Sequence, residues 1–181
     1  MPRPLRIDRW SGLLVAGLVL VGSQQVVDAA LIRSKAELAQ VLIEKAWTSS
    51  LENGEPVRPW PWADTWPVAR LSIPARQVDL HVLHGARGNA LAFGPGYEVA
   101  SATPGASGLV VIAGHRDTHF AFLGDLSAGD PLWLETQDGT VRRYRVRGAA
   151  VVHESDATPL EPAAEPTLTL ITCFPFDAAL P

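Results

Sequence analysis

Cysteine is nearly absent from this chain: Cys173 is the only one among 181 residues. A single thiol excludes an intrachain disulfide framework and any CxxC redox or metal site, while leaving room for a functional thiol. An excess of basic charge is missing too. The formal net charge is −4, so there is no electrostatic footprint for nucleic acid and no nucleic-acid partner is expected. Rings are sparse outside tryptophan, with five Phe and two Tyr against fifteen Gly and fifteen Pro. That balance fits a loop-rich, all-β body. No internal repeat is visible, and no acidic cluster dominates a loop, so nothing signals calcium dependence. The length suits one domain plus an appendage.

Long apolar runs are confined to the N-terminus. Arg3, Arg6 and Arg9 precede Gly12-Leu-Leu-Val-Ala-Gly-Leu-Val-Leu-Val-Gly22, which is too short to span a bilayer alone. Extended from Trp10 to Val27, the stretch carries no charge and makes about 27 Å of helix. A cleaved signal peptide is the rival reading, with Val27-Asp28-Ala29 as a poor cleavage site. The apolar pattern continues through Leu31, Ile32, Leu38, Val41, Leu42 and Ile43, which favours an uncleaved anchor. Residues 1–9 then form a cytoplasmic N-terminus and 10–27 a single membrane span. Arginines before the span and the bulk of the chain after it place the body on the extracytoplasmic, periplasmic side of the inner membrane.

Residues 28–67 read as a helical stalk followed by a linker. The helical part runs from Asp28 to Trp47; from Thr48 to Pro67, Ser49, Ser50, Asn53, Gly54 and four prolines interrupt regular structure. Trp60, Trp62 and Trp66 in this linker suit a domain surface or the lipid headgroup level. From residue 68 to 181 the texture is that of a β domain. Expected strands are Val68–Ile73, Val78–Leu83, Leu109–Ala113, Pro131–Glu135, Val141–Val152 and Thr167–Cys173. Gly94-Pro95-Gly96, Pro104-Gly105, Gly124-Asp125, Gly129-Asp130 and Asp138-Gly139 mark turns between them. Asp138-Gly139 is the hairpin signal. Short strands with frequent turns predict a small, mostly antiparallel β-barrel.

The chemistry gathers at two strand ends. Thr167-Leu-Thr-Leu-Ile-Thr-Cys173 ends at the thiol, with Pro175 following where it cannot donate to a ladder. Leu109-Val-Val-Ile-Ala-Gly-His115 ends at an imidazole, followed by Arg116-Asp117-Thr118-His119-Phe120. A free cysteine more often packs as a small hydrophobe than reacts. A histidine within reach changes that balance, because an imidazolium favours the thiolate and can later protonate a leaving amine. His81, His84 and His153 have no motif around them. A metal centre through His115, His119 and Cys173 is not expected, since the HxxxH spacing lacks the glutamate of a zincin; no cofactor is implied.

Taken together, Ala113-Gly-His-Arg-Asp117, Phe120-Ala-Phe-Leu123, Gly129-Asp130 and Leu168-Thr-Leu-Ile-Thr-Cys173 resemble the sortase family of cysteine transpeptidases. Arg70-Leu-Ser-Ile-Pro74 and Tyr144-Arg-Val146 are similar to sortase strands. The resemblance covers about residues 68 to 177; the wording around His115 and Gly94-Pro95-Gly96 is most similar to the marine proteobacterial type. It implies a closed barrel of about eight strands and cleavage of an LPxTG-like sorting signal between Thr and Gly. Cys173 matches the nucleophile that forms the thioacyl intermediate, and His115 the acid/base, in preference to His119. The implied partners are a secreted protein bearing the sorting signal and an amine acceptor. Asp117 is expected to make a turn hydrogen bond and Thr172 to pack.

One departure bears on activity. Sortases use an arginine on the strand after the cysteine strand to hold the substrate backbone and oxyanion; here that position lies beyond Pro181. Arg142, Arg143, Arg145 and Arg147 alternate along a hairpin and read as a solvated face. The expectation is therefore a C-terminally truncated catalytic domain lacking its final strand, with crippled transpeptidation. The alternative reading is a non-catalytic, membrane-anchored β-barrel that binds sorting peptides or a partner protein.

Overall fold

A single helix, α1 (Arg9–Asn53), opens the computed structural model, which describes residues 9–156, 160–161 and 163–177. The chain divides into two compact units, Met1–Ala39 and Gln40–Pro181. In the first, Leu13, Leu14, Val15, Leu18, Val19 and Leu20 are all exposed. The stretch Gly12–Asn53 contains an 18-residue window of mean hydropathy 1.7, none of it buried. Such a helix is long and apolar enough to cross a bilayer.

In the second unit α1 runs six residues past Trp47, into the segment expected to be linker. Ser50 explains the extension: its Oγ donates to the Ala46 carbonyl at 2.8 Å and accepts from the Val57 N–H at 3.0 Å. The helix stops where Gly54 takes φ +70° and its N–H reaches the Ser50 carbonyl at 2.9 Å. That is a left-handed glycine closing a helix C-terminus. The rest of the linker is tied to the barrel. Thr65 Oγ1 donates to the His84 carbonyl at 2.8 Å, Trp66 stacks on His84 at 4.0 Å, and Trp60 meets Phe93 edge-on at 5.1 Å. Trp62 stays exposed.

Seven strands follow: β1 (Pro67–Ile73), β2 (Val78–His84), β3 (Gly96–Tyr97), β4 (Leu109–Ala113), β5 (Pro131–Thr136), β6 (Val141–Arg145) and β7 (Thr167–Ile171), with a short helix α2 (Asn89–Phe93) before β3. They form one mixed sheet in the order β6-β5-β1-β2-β3-β4-β7, nearly closed into a barrel. Pairings β1–β2, β1–β5, β3–β4 and β5–β6 are antiparallel, while β2–β3 and β4–β7 are parallel. Alternation decides what is inside: β1 buries every second residue from Pro67 to Ile73, as a strand with one face on a core must. Leu71, Val82, Val110, Ile112, Phe120 and Leu134 are fully inaccessible and form the centre of the barrel. Each such side chain contributes about 1.5–3 kcal/mol on burial.

Three expectations about strands and turns differ from the fold. The strand expected over Thr167–Cys173 ends at Ile171. Val141–Val152 yields only β6, because β5 begins at Pro131, opposite Arg145. Val146 adds two further bonds, accepting from Gly129 N–H at 2.8 Å and donating to the Asp130 carbonyl at 2.9 Å; beyond it the partner strand has turned away. Gly94-Pro95-Gly96, expected as a turn, instead leads into β3. Gly96 is there for close approach: a Cβ would sit 2.4 Å from the Gly85 carbonyl oxygen. A glycine that lets two backbones meet looks, in sequence, like one that bends the chain.

Candidate active site at the β4 and β7 strand ends

Parallel pairing of β4 with β7 brings together two segments 58 residues apart. Leu109 lies opposite Thr167, and the register runs without interruption to Ala113 opposite Ile171. It continues past both strand ends: the Gly114 N–H donates to the Ile171 carbonyl at 3.0 Å, and Thr172 Oγ1 donates to the Gly114 carbonyl at 2.8 Å. His115 and Cys173 are the next residues on the two sides. Each stands two positions beyond the last aligned pair, at the same end of the sheet. Both are exposed.

The loop after His115 is anchored inward. The Phe120 N–H donates to the His115 carbonyl at 3.0 Å, and the fully buried Phe120 ring packs under Gly114. A 3-10 turn, Ala121–Asp125, follows. Gly124 of that turn lies beneath the ring of Phe176, and Phe176 meets Phe174 edge-on at 6.3 Å. The segment after Cys173 therefore rests on the segment after His115.

Electrostatics centre on Arg116. Its side chain is only 13% exposed; Nε donates to Asp117 Oδ1 at 2.8 Å and Nη1 to the Pro175 carbonyl at 2.7 Å. The hydrogen bond from Arg116 to Asp117 does most to raise the arginine pKa, with the charges of Asp117, Cys173 and Asp177 adding to it. Asp117 thus serves Arg116, where the sequence suggested a turn bond. Thr172, expected to pack, is the hydrogen-bonded clasp between the strand ends. His119 is partly buried, with Nδ1 3.3 Å from Thr118 Oγ1, and burial together with the nearby His115 lowers its pKa. Sequence reasoning gave Arg116 no role; the available signal was a cation directly after the strand-end histidine. The arginines of β6 lie elsewhere: Arg142 reaches the Gly105 carbonyl at 2.6 Å and Arg145 the Gly129 carbonyl at 3.1 Å. Among the described residues, no group of three or more His, Cys, Asp and Glu is placed to hold a metal ion.

Comparison with known proteins agrees with this architecture. The chain is 33% identical to sortase D of Bacillus subtilis over 108 residues, 59% of this chain. It spans about half the length of that relative, 54%. Among solved structures, sortase A from Corynebacterium diphtheriae superposes with a TM-score of 0.58 at 26% identity, covering 78% of this chain and 77% of that one. The catalytic domain of SrtD from B. anthracis gives 0.53 at 38% identity, with coverage of 62% and 77%. The family model for the sortase domain matches residues 71–180. With more than half its length inside that match, the chain belongs to the sortase family.

Proposed function

We propose that this protein is a membrane-anchored cysteine transpeptidase that cleaves an LPxTG-like sorting signal and transfers the acyl fragment to an amine. One observation carries the reading: the β4–β7 register sets Cys173 and His115 at matching positions beyond their strands. In the first step the Cys173 thiolate attacks the threonine carbonyl carbon, forming a C–S bond and a tetrahedral oxyanion. Collapse breaks the C–N bond, and the imidazolium of His115 gives its proton to the departing glycine amine. The neutral His115 then takes a proton from the incoming amine as that nitrogen attacks the thioester. The C–S bond breaks, a new amide forms, and the thiolate returns. Water entering at the same stage would give hydrolysis.

The N-terminal part of α1 supplies the anchor, inserted with Arg3, Arg6 and Arg9 on the cytoplasmic face and the barrel outside. The substrate class is then a secreted protein carrying the sorting signal.

The test uses the full chain in detergent, a fluorogenic LPxTG-like peptide and an amine acceptor. Wild type yields a covalent peptide adduct on Cys173 by mass spectrometry and an amide product with the acceptor. Cys173→Ala abolishes both, and His115→Ala lowers the rate by about 10²–10⁴-fold. Tight peptide binding with no adduct and no cleavage would replace this reading with that of a non-catalytic binder. Cleavage that survives Cys173→Ala would end it.

A further inference from the structure

Among the described residues, Arg116 is the one cation held in place between the two strand exits. Three features mark it out. Its side chain is mostly covered, one nitrogen is fixed by Asp117, and another reaches across to the Pro175 carbonyl, two residues past the thiol. A guanidinium presents its donors in a rigid fork, so two fixed contacts determine where the remaining charge lies. Cys173 and Asp177, both on the β7 side, are among the negative groups that raise its pKa.

We propose that Arg116 is a positioning residue for the nucleophile: it pins the Cys173–Pro175 segment to the β4 exit and brings a fixed positive charge to the segment that carries the sulfur. The catalytic consequence rests on the transpeptidase reading above; the charge placement does not. A fixed cation draws anionic groups toward it. The brace limits how far the sulfur can move from the acyl carbon it must meet, and small misplacements of that kind are costly in rate. Asp117 then has a defined part, aiming Arg116.

The experiment needs no peptide. Full-length wild type, Arg116→Gln and Arg116→Lys are alkylated at fixed pH with iodoacetate and with iodoacetamide, and the ratio of the two rates is measured. The reagents share their chemistry and differ by one negative charge, so the ratio reads the field at the sulfur and cancels general changes in exposure. Removing the charge in Arg116→Gln should lower the iodoacetate preference by about threefold, the factor for unit charges several ångströms apart in water. Arg116→Lys should keep that preference yet reduce kcat for peptide cleavage with KM little changed, because a lysine cannot hold both Asp117 and the Pro175 carbonyl. The difference in ratio between wild type and Arg116→Gln should shrink as salt is raised to 1 M. An unchanged ratio in Arg116→Gln, or a difference from wild type that 1 M salt leaves intact, overturns the proposal. If the ratio shifts while no variant cleaves peptide, the charge placement stands and the transpeptidase reading falls.

Discussion

Replacing Gly114 with alanine probes how closely the core supports the residue before the imidazole. The glycine has no need of a left-handed backbone, since it is not among the positive-φ residues. Its constraint is space. An added Cβ would lie 2.8 Å from Cγ of Phe120, 2.9 Å from Cδ2 and 3.1 Å from Cδ1, well inside the 3.5–4.0 Å of carbon–carbon contact. Phe120 cannot swing away: it is 0% exposed, packs edge-on against Phe122 at 5.7 Å, and its backbone bonds to His115 on one side and Leu123 on the other. Overpacking of this kind costs about 1–3 kcal/mol. Alanine recovers about 0.4–1 kcal/mol by restricting the unfolded chain. The expected net loss is about 1–2 kcal/mol, read as a lower urea midpoint at constant slope. Phe120→Leu in the same background should restore about 1 kcal/mol by making room, although alone it leaves a cavity and destabilises. Wild-type stability in Gly114→Ala, or a double mutant whose loss equals the sum of the singles, would refute the packing account.

Three further outcomes are expected. His81 has a side chain only 11% exposed, faced by Glu44 of α1, Arg70 of β1, Asp79 of β2 and the Trp47 ring, and burial does most to lower its pKa. The folded state therefore prefers the neutral ring: its stability is complete above the ordinary value of 6.5 and declines as pH falls below it toward the depressed folded value. Urea midpoints of His81→Gln should change less between pH 7.5 and 5 than those of wild type. Ser50→Ala removes the acceptor of the Val57 N–H and should cost about 1 kcal/mol, measured by the same unfolding curves. Arg70→Ala breaks a pair with Asp79 in which Nε donates at 2.7 Å, but the two side chains are 36% and 50% exposed. The loss should stay under about 1 kcal/mol and vanish in 1 M salt; a larger, salt-resistant loss would show that the pair is better shielded than its exposure indicates.

Much of the barrel was legible because its strands alternate. Leu109–Ala113 coincides with β4, and Val68–Ile73, Val78–Leu83 and Pro131–Glu135 each fall within a residue of the observed strands. What escaped is what depends on a neighbour. β3 is two residues long and is defined by its pairing with Leu83 and His84 of β2 and with Ile112 and Ala113 of β4; no period can be read from two residues. The length of β6 is set by where β5 starts, not by the valines that follow. The helix end at Asn53 was hidden because Ser50 normally favours turns and here bonds back to its own helix. At the site, the strand-end positions of Cys173 and His115 could be read from the motifs that precede them. The bonds from Thr172 to Gly114 and from Arg116 to Pro175 could not, since each links β4 and β7 exits that only the fold makes adjacent.

That dependence says which forces hold the site and how it can fail. Among the described residues β7 lies at one end of the sheet order and pairs with β4. The seam is then a short ladder with ties at both ends: Thr167 N–H to the Gly108 carbonyl at 2.9 Å at the start, then Gly114 to Ile171, Thr172 to Gly114, and Arg116 to Pro175 at the exit. By contrast, the centre of the barrel is held by apolar side chains with no exposure, drawn from β1, β2, β4 and β5. Opening a terminal seam costs less than global unfolding, so cutting its exit ties should disorder the strand ends while the barrel remains folded. Stability and the proposed chemistry are thereby separable in this protein: core substitutions should lower both, whereas loss of the Thr172 or Arg116 contacts should fall first on the reactivity of Cys173.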